Sequence, residues 1–354
     1  MKKSTIEFAG DTVGVAYRLD VLRFSGSRPD APKAYLQAAL HANELPGVAA
    51  LHYLIPRLEA AEAAGRLAGD VTIVPTANPI GAAQYLFHEH AGRFSVSSRV
   101  NFNRDFPLPG ADGSIPLVAL DAPVPAERRM KSLLLDLARG HDIVLDLHCD
   151  DEALSYLYVP APLWPHMSDL AAALGSAGVI VWDETSDAAF EEAALLQIGD
   201  MRDGGVDWPS KAVSTVELRG RADVSAELGE SDAGGLYRFL VARGVVDDEN
   251  VALADAAKWS GTSEPIEHVE MMRAPAAGTL LYHVAPGDRV KTGDLLVTII
   301  GAAGETGGAV EVRAPQDGLI LTRRVHRVTR LGDDLLKLVG SRRSAAARPG
   351  TLDN

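Results

Sequence analysis

Ala34-Tyr35-Leu36-Gln37-Ala38-Ala39-Leu40, running straight into His41-Ala42-Asn43-Glu44, is the stretch whose reading decides the fold. The mostly apolar run reads as a buried strand, and the polar tetrapeptide after it as the turn at its end. A second run of the same kind, Ile143-Val144-Leu145-Asp146-Leu147, carries His148 to its own carboxyl end. Open α/β sheets place their sites beyond the carboxyl ends of their strands, so the two runs deliver to one edge. Around them, Val48 to Gly65 reads as an amphipathic helix rich in Ala and Leu, and Asp70 to Pro75 as the next strand. Ala126 to Arg139 reads as a helix whose Leu133, Leu134, Leu135 and Leu137 pack on the sheet, and Gly234 to Gly244 as a last helix ending at its glycine. After an N-terminal strand region, that order predicts an α/β fold, with a mixed, mostly parallel sheet in an α/β/α sandwich.

Two imidazoles and one carboxylate at a strand edge are a ligand set suited to hydrolytic zinc. Three protein ligands leave a fourth position for water, whose pKa the metal lowers to about 7. Taken singly, H-x-x-E is as compatible with a solvated turn, and His148 with a satisfied core histidine. A third element changes the balance: Thr215-Val216-Glu217-Leu218-Arg219-Gly220 carries a carboxylate on a strand-like run before a glycine. Glu217 alone would pass for a surface glutamate, and Asn103-Arg104 for a loop arginine paired with Asp105. Together they offer a general base beside the metal and a planar fork of donors for a substrate carboxylate.

Over residues 30 to 245 the chain resembles the succinylglutamate desuccinylase/aspartoacylase family, relatives of the zinc carboxypeptidases, in the order H-x-x-E, N-x-N-R-D-F-P, D-L-H and E-x-x-G. The resemblance implies that His41, Glu44 and His148 hold Zn2+, that Asn103 and Arg104 bind the substrate's α-carboxylate, and that Glu217 activates water. It also implies an arginine, a few residues before the Asn-Arg pair, that polarises the scissile carbonyl. Arg93 and Arg99 both stand near that position, and Arg93 is preferred because it begins an Arg-aromatic pair. Asp146 shares a strand face with His148, as an outer acceptor for its imidazole or as a structural hydrogen-bonding group. Cys149 points the other way and reads as a buried thiol, while His88 and His90 read as loop or surface residues.

Composition narrows the partners. Asp and Glu outnumber Lys and Arg by 48 to 34, a formal charge of -14 that argues against a nucleic-acid surface. No apolar run is long enough to span a bilayer and the N-terminus lacks an apolar signal core, so a soluble cytoplasmic protein is expected. Homo-oligomer formation stays open.

Residues 1–259 read as the hydrolase domain, followed by the turn-forming polar stretch Ser260 to Pro265. Beyond it Arg273-Ala274-Pro275-Ala276-Ala277-Gly278 returns as Arg313-Ala314-Pro315-Gln316-Asp317-Gly318, and Gly293-Asp294-Leu295-Leu296 has its counterpart in Gly332-Asp333-Asp334-Leu335-Leu336. Two such copies predict a small β-barrel of interlocked halves, a barrel-sandwich hybrid, over residues 268–340. This part resembles a biotinyl or lipoyl carrier domain, yet in Glu305-Thr306-Gly307-Gly308-Ala309 the modified lysine's place is taken by Gly308, so no attachment is expected. The tail, 341–354, lacks core-forming residues and is expected to be mobile.

The expectation that follows is a metal-dependent hydrolase of a linear amide that removes an N-acyl group from an amino acid or related small molecule. Two alternatives stand beside it. A zinc carboxypeptidase would share the chemistry but need a groove open to peptides, and a non-catalytic binding or carrier protein is the reading the C-terminal repeat invites.

Overall fold

Apolar runs with little polar alternation set the centre of this molecule, because strands covered on both faces by helices have no wet side. The structure is a computed structural model and describes all residues except 111, 186, 202, 203, 349–351, 353 and 354. In chain order its strands are Lys2–Ala9 (β1), Ala16–Phe24 (β2), Ala34–Ala38 (β3), Val71–Val74 (β4), the short hairpin Tyr85–Leu86 (β5) and Glu89–His90 (β6), Ile143–Asp150 (β7), Glu152–Ala153 (β8), Tyr156–Pro160 (β9), Gly178–Trp182 (β10), Ala212–Gly220 (β11) and Thr262–Pro265 (β12). Among the described residues six α-helices intervene: Pro46–Ala63 (α1), Pro79–Ala82 (α2), Ala126–Ala138 (α3), Ser168–Leu174 (α4), Phe190–Ile198 (α5) and Ala226–Ala242 (α6).

Nine strands form one sheet in the order β1-β2-β4-β3-β7-β11-β9-β10-β12. Pairing is parallel from β4 through β3 and β7 to β11 and again from β9 through β10 to β12, and antiparallel at β1-β2, β2-β4 and β11-β9. The sheet is therefore mixed and mostly parallel, as the sequence predicts. α1, α4 and α6 pack together, and α3 packs with α5, which lies against β7 and β11. Leu147 faces α1, where a Cβ on Gly47 would meet its side chain. Strand alternation then turns Asp146 and His148 to the opposite face.

Element ends follow local chemistry. α1 begins at Pro46, two residues before the periodic pattern, because a proline at the first turn sacrifices no helical N–H. α6 begins eight residues before Gly234, since Ser225 Oγ accepts the Leu228 N–H at 3.2 Å and caps it. The polar stretch before residue 266 is not only a turn: Thr262–Pro265 pairs with β10 as the sheet's edge strand.

Eight further strands follow: Val269–Arg273 (β13), Gly278–Tyr282 (β14), Arg289–Val290 (β15), Leu295–Ile300 (β16), Ala309–Arg313 (β17), Gly318–Arg323 (β18), Val328–Thr329 (β19) and Asp334–Gly340 (β20). They form two antiparallel sheets, β13-β20-β18-β15 and β17-β16-β14-β19, around their own apolar cluster containing Leu280, Leu296, Ile299, Ile320 and Leu338. Each sheet takes two strands from each sequence repeat, so the halves interlock. The small β-barrel expected here is corrected to two antiparallel sheets that do not close into a barrel, each ending on a strand of only two residues, β15 in one and β19 in the other. The β13 sheet does not stop at the repeat: β8, which follows β7, pairs with β18.

The Gly308 position lies in the β16–β17 connection, where its N–H donates to the Glu305 carbonyl at 3.0 Å. A Cβ there would fall 2.2 Å from the Ala302 carbonyl oxygen, so the turn as folded accepts no side chain at all. The start of the polar tail is held, with the Ser344 N–H donating to the Glu267 carbonyl at 2.7 Å and Ser344 Oγ donating to Glu270 Oε2 at 2.5 Å. Residues 349–351, 353 and 354 of that tail lie outside the described residues.

Candidate active site

β3 and β7 are neighbours, so the turn after β3 and the carboxyl end of β7 meet as the paired runs predict. The ligand-capable atoms of His41, Glu44 and His148 all lie within 4.8 Å of one another, and all three residues are buried. Glu44 joins the imidazoles, with Oε1 3.0 Å from His41 Nδ1 and Oε2 2.8 Å from His148 Nδ1. The Cys149 backbone N–H donates to the same Oε2 at 3.2 Å, while the Cys149 thiol, pushed up chiefly by burial, takes no part in the cluster. Each imidazole is anchored from behind: His41 Nε2 donates to Asn101 Oδ1 and His148 Nε2 to Asp146 Oδ2, both at 2.8 Å. These acceptors occupy both Nε2 atoms, so both Nδ1 atoms and the Glu44 carboxylate converge on one point. Converging acceptors in a buried place need a cation between them, which is the fit a divalent metal requires.

The electrostatics describe the same convergence. Burial is the largest influence on all three groups. It pushes His41 down to about 4, with the Arg93 guanidinium acting in the same direction. For Glu44 and His148 burial is outweighed: the two imidazoles hold the Glu44 carboxyl well below its usual range, and Asp146 and Glu44 hold His148 well above its own.

Glu217 sits on β11 directly opposite His148 in the parallel register. Just beyond it the register shifts, Arg219 adopts a left-handed φ of 64°, and Arg219 forms a two-armed pair with Asp232 of α6, at 3.0 and 2.5 Å. Gly220 closes this bulge, since a Cβ would lie 2.8 Å from the Asp151 carbonyl oxygen. Glu217 Oε2 is buried and makes no hydrogen bond among the described residues. Burial first, then the Glu44 and Asp150 carboxylates, push the Glu217 carboxyl up to about 8.

The structure separates the two candidate arginines. Arg93 Nη1 lies 3.1 Å from Glu44 Oε1 and 3.2 Å from His41 Nδ1, whereas Arg99 borders a neighbouring apolar recess with Leu86, Phe94 and Val96. Asn103 and Arg104 line the same cavity as the His-Glu-His cluster. Asn103 Oδ1 accepts the Phe190 N–H at 2.8 Å, and Arg104 donates to the Asn103 carbonyl at 2.7 Å and pairs with Asp187 at 3.4 Å, not with Asp105. His88 and His90 lie on the β5–β6 hairpin, with His90 stacked on Tyr85, and neither belongs to the cluster.

The sequence reading did not foresee what the C-terminal sheets bring. Lys337 on β20, its side chain 12% exposed, donates to Asp150 Oδ2 at 2.5 Å and to the Tyr156 hydroxyl at 2.9 Å, and stands over the Tyr156 and Tyr158 rings. Asp150 and the nearby Tyr158 and Glu217 hold its ammonium well above its ordinary range against the effect of burial. Arg323 and Arg327 both pair with Glu152 on β8. Thr322, Arg324, Asp333 and Lys337 complete the wall of a cavity of about 520 Å3 whose floor is the His-Glu-His cluster.

A mostly parallel sheet with a buried His-Glu-His cluster at the ends of its central strands, a lone carboxylate facing it and a carboxylate-sized anchor beside it is the architecture of a hydrolytic enzyme. Residues 30–242 match the succinylglutamate desuccinylase/aspartoacylase catalytic domain, and the chain belongs to that family. It is 26% identical, over 87% of its length and 82% of the relative's, to the N-alpha-acetyl-L-2,4-diaminobutyric acid deacetylase of Halomonas elongata. Its fold is shared by a succinylglutamate desuccinylase/aspartoacylase family protein of Shewanella amazonensis, with a TM-score of 0.82, 24% identity and coverage of 96% of this chain and 98% of that one. The product-bound ectoine utilization protein of Ruegeria pomeroyi also shares it, with a TM-score of 0.68, 20% identity and coverage of 97% of both chains. Among the described residues no helix is long and apolar enough to cross a membrane.

Proposed function

We propose that the protein is a zinc-dependent deacylase that removes the acyl group from the nitrogen of an amino acid or close analogue. The observation that carries this reading is the convergence of His41 Nδ1, His148 Nδ1 and the Glu44 carboxylate on one buried point, within the cavity that Glu217 and Arg104 also line. Those three residues would hold the ion, which supplies a Lewis acid for the scissile carbonyl and a water of lowered pKa. Arg104, with the Asn103 amide, receives the substrate carboxylate as a charge-assisted fork. Arg93 turns its guanidinium toward the carbonyl oxygen, where negative charge develops. Glu217 accepts the proton of the attacking water and returns it to the departing nitrogen, a role suited to a carboxyl whose pKa burial raises and whose Oε2 makes no hydrogen bond among the described residues.

A cavity of this size walled by Lys337, Arg324 and Asp333 favours a small molecule over a peptide, which sets the carboxypeptidase reading second. Gly308 argues against a carrier role for residues 268–340, which on this reading shape the cavity. Incubating the zinc-loaded protein with N-acetyl, N-succinyl and N-formyl amino acids, and separately with peptides, tests the proposal. Amine release from at least one N-acyl amino acid and none from peptides is expected, and the reverse pattern would make it a carboxypeptidase.

A further inference from the structure

One buried carboxylate of the cavity has no role in the chemistry above. Glu191 stands in the first turn of α5, is 9% exposed, and its Oε2 makes no hydrogen bond among the described residues. It lines the same cavity as His148, Glu217 and Arg104. Most neighbouring charges there are matched: Arg93 with Glu44, Arg104 with Asp187, Arg221 with Asp151, Arg324 with Asp333 and Lys337 with Asp150, while Glu217 is the base assigned above and Glu192, the next residue of α5, is not without a partner. Glu191 forms no ion pair among the described residues.

Its placement relates it to both ends of a substrate. The preceding Phe190 donates its N–H to Asn103 Oδ1, so the backbone that carries Glu191 is fastened to the carboxylate anchor. The carboxyl itself lies close enough to Thr215, Asp146 and His148 to feel them, which sets it beside the reacting centre. From these positions we infer that Glu191 is a specificity-determining residue that receives a second, protonated amine, so that the substrate is a mono-N-acylated diamino acid. This inference rests on the deacylase reading and deepens it.

The physical reason is compensation. Burial drives the Glu191 carboxyl above its usual range in the free protein, a cost that a bound ammonium offsets through a charge-assisted hydrogen bond. A substrate with a methyl in place of that amine leaves the carboxylate buried and unmatched. A substrate with a second carboxylate there meets repulsion, so N-acyl derivatives of aspartate or glutamate are disfavoured.

The test compares kcat/KM for N-acetyl-2,4-diaminobutyrate, N-acetyl-2-aminobutyrate and N-acetylaspartate with the zinc-loaded wild type and Glu191→Gln. Wild type should favour the diamino substrate over aminobutyrate by about tenfold or more, as expected when one partner of a buried charge pair is missing, and should disfavour N-acetylaspartate. In Glu191→Gln that ratio should fall toward one, mainly through a higher KM for the diamino substrate. A wild type that treats diamino and monoamino substrates alike, or a variant that keeps the full preference, overturns the assignment while leaving the deacylase reading intact. Failure of the zinc-loaded protein to cleave any N-acyl amino acid sinks the deacylase reading and this one with it. Should Glu191→Gln not fold, inhibition of wild type decides: free 2,4-diaminobutyrate should inhibit more strongly than 2-aminobutyrate, and equal inhibition contradicts the inference.

Discussion

Glu44 touches both imidazoles of the cluster with one carboxylate, and that economy explains why so few residues suffice to mark the site. His41, Glu44, His148 and Glu217 are legible in the sequence because each stands at or near the end of a recognisable strand, where alternation and sheet topology fix the direction of the side chain. Asn101 and Glu191 are not, since what they meet is set by elements remote in sequence, His41 in one case and the cavity floor in the other. Between Arg93 and Arg99 the sequence offers only the Arg-aromatic pair that favours Arg93, because the contact of Arg93 with Glu44 depends on how the chain brings remote segments together. Two predictions belong here. Glu217→Gln should retain its zinc but lose turnover by about 10²–10⁴-fold, the usual scale of general acid-base help, measured as kcat beside metal content. Near-normal turnover would remove Glu217 from the proton path, and loss of metal would recast it as a ligand. Arg104→Ala should lower kcat/KM on acid substrates by well over tenfold, on the scale of about 2–5 kcal/mol for a severed charge pair, with little change on substrates amidated at the carboxylate. Equal losses on both would show that Arg104 does not read that group.

Among the elements, the central strands announce themselves as near-continuous apolar runs, whereas α6 hides its first turns in the polar, glycine-containing stretch after Ser225. The reason for those polar residues is tertiary: Asp232 is there to hold Arg219, and through it the left-handed bulge that ends β11 two residues after Glu217. Helix propensity alone gives no hint of such a task. Asp232→Ala leaves the Arg219 guanidinium without its buried partner, so the protein should lose about 3 kcal/mol in denaturant unfolding and turnover should fall as Glu217 loses its fixed position. Full activity in a well-folded Asp232→Ala protein would show that the bulge does not position Glu217.

At the scale of the whole molecule, the internal repeat told of two interlocked halves but not of their use. The C-terminal sheets grip the segment that follows His148: β18 pairs with β8, Arg323 and Arg327 hold Glu152, and Lys337 meets Asp150. Leu321 and Val339 belong to the core of the large sheet. The sequence could not reveal this, because a lysine on a strand of alternating pattern reads as a solvated face until its partner, Asp150, is placed against it. Lys337→Met should therefore do more than loosen the C-terminal part. It strands Asp150 beside Glu217, and should cost about 3 kcal/mol of stability and reduce kcat, while Lys337→Arg recovers part of both. Unchanged kcat in Lys337→Met would confine that lysine to packing. Hydrolysis by this site depends on the metal, and a zinc titration of chelator-stripped protein, followed by amine release from an N-acetyl amino acid, tests that dependence most directly. Activity should be absent in the stripped protein, rise in proportion to added zinc and level off at one ion per chain. Full activity in the stripped protein, or none at saturating zinc, would contradict it.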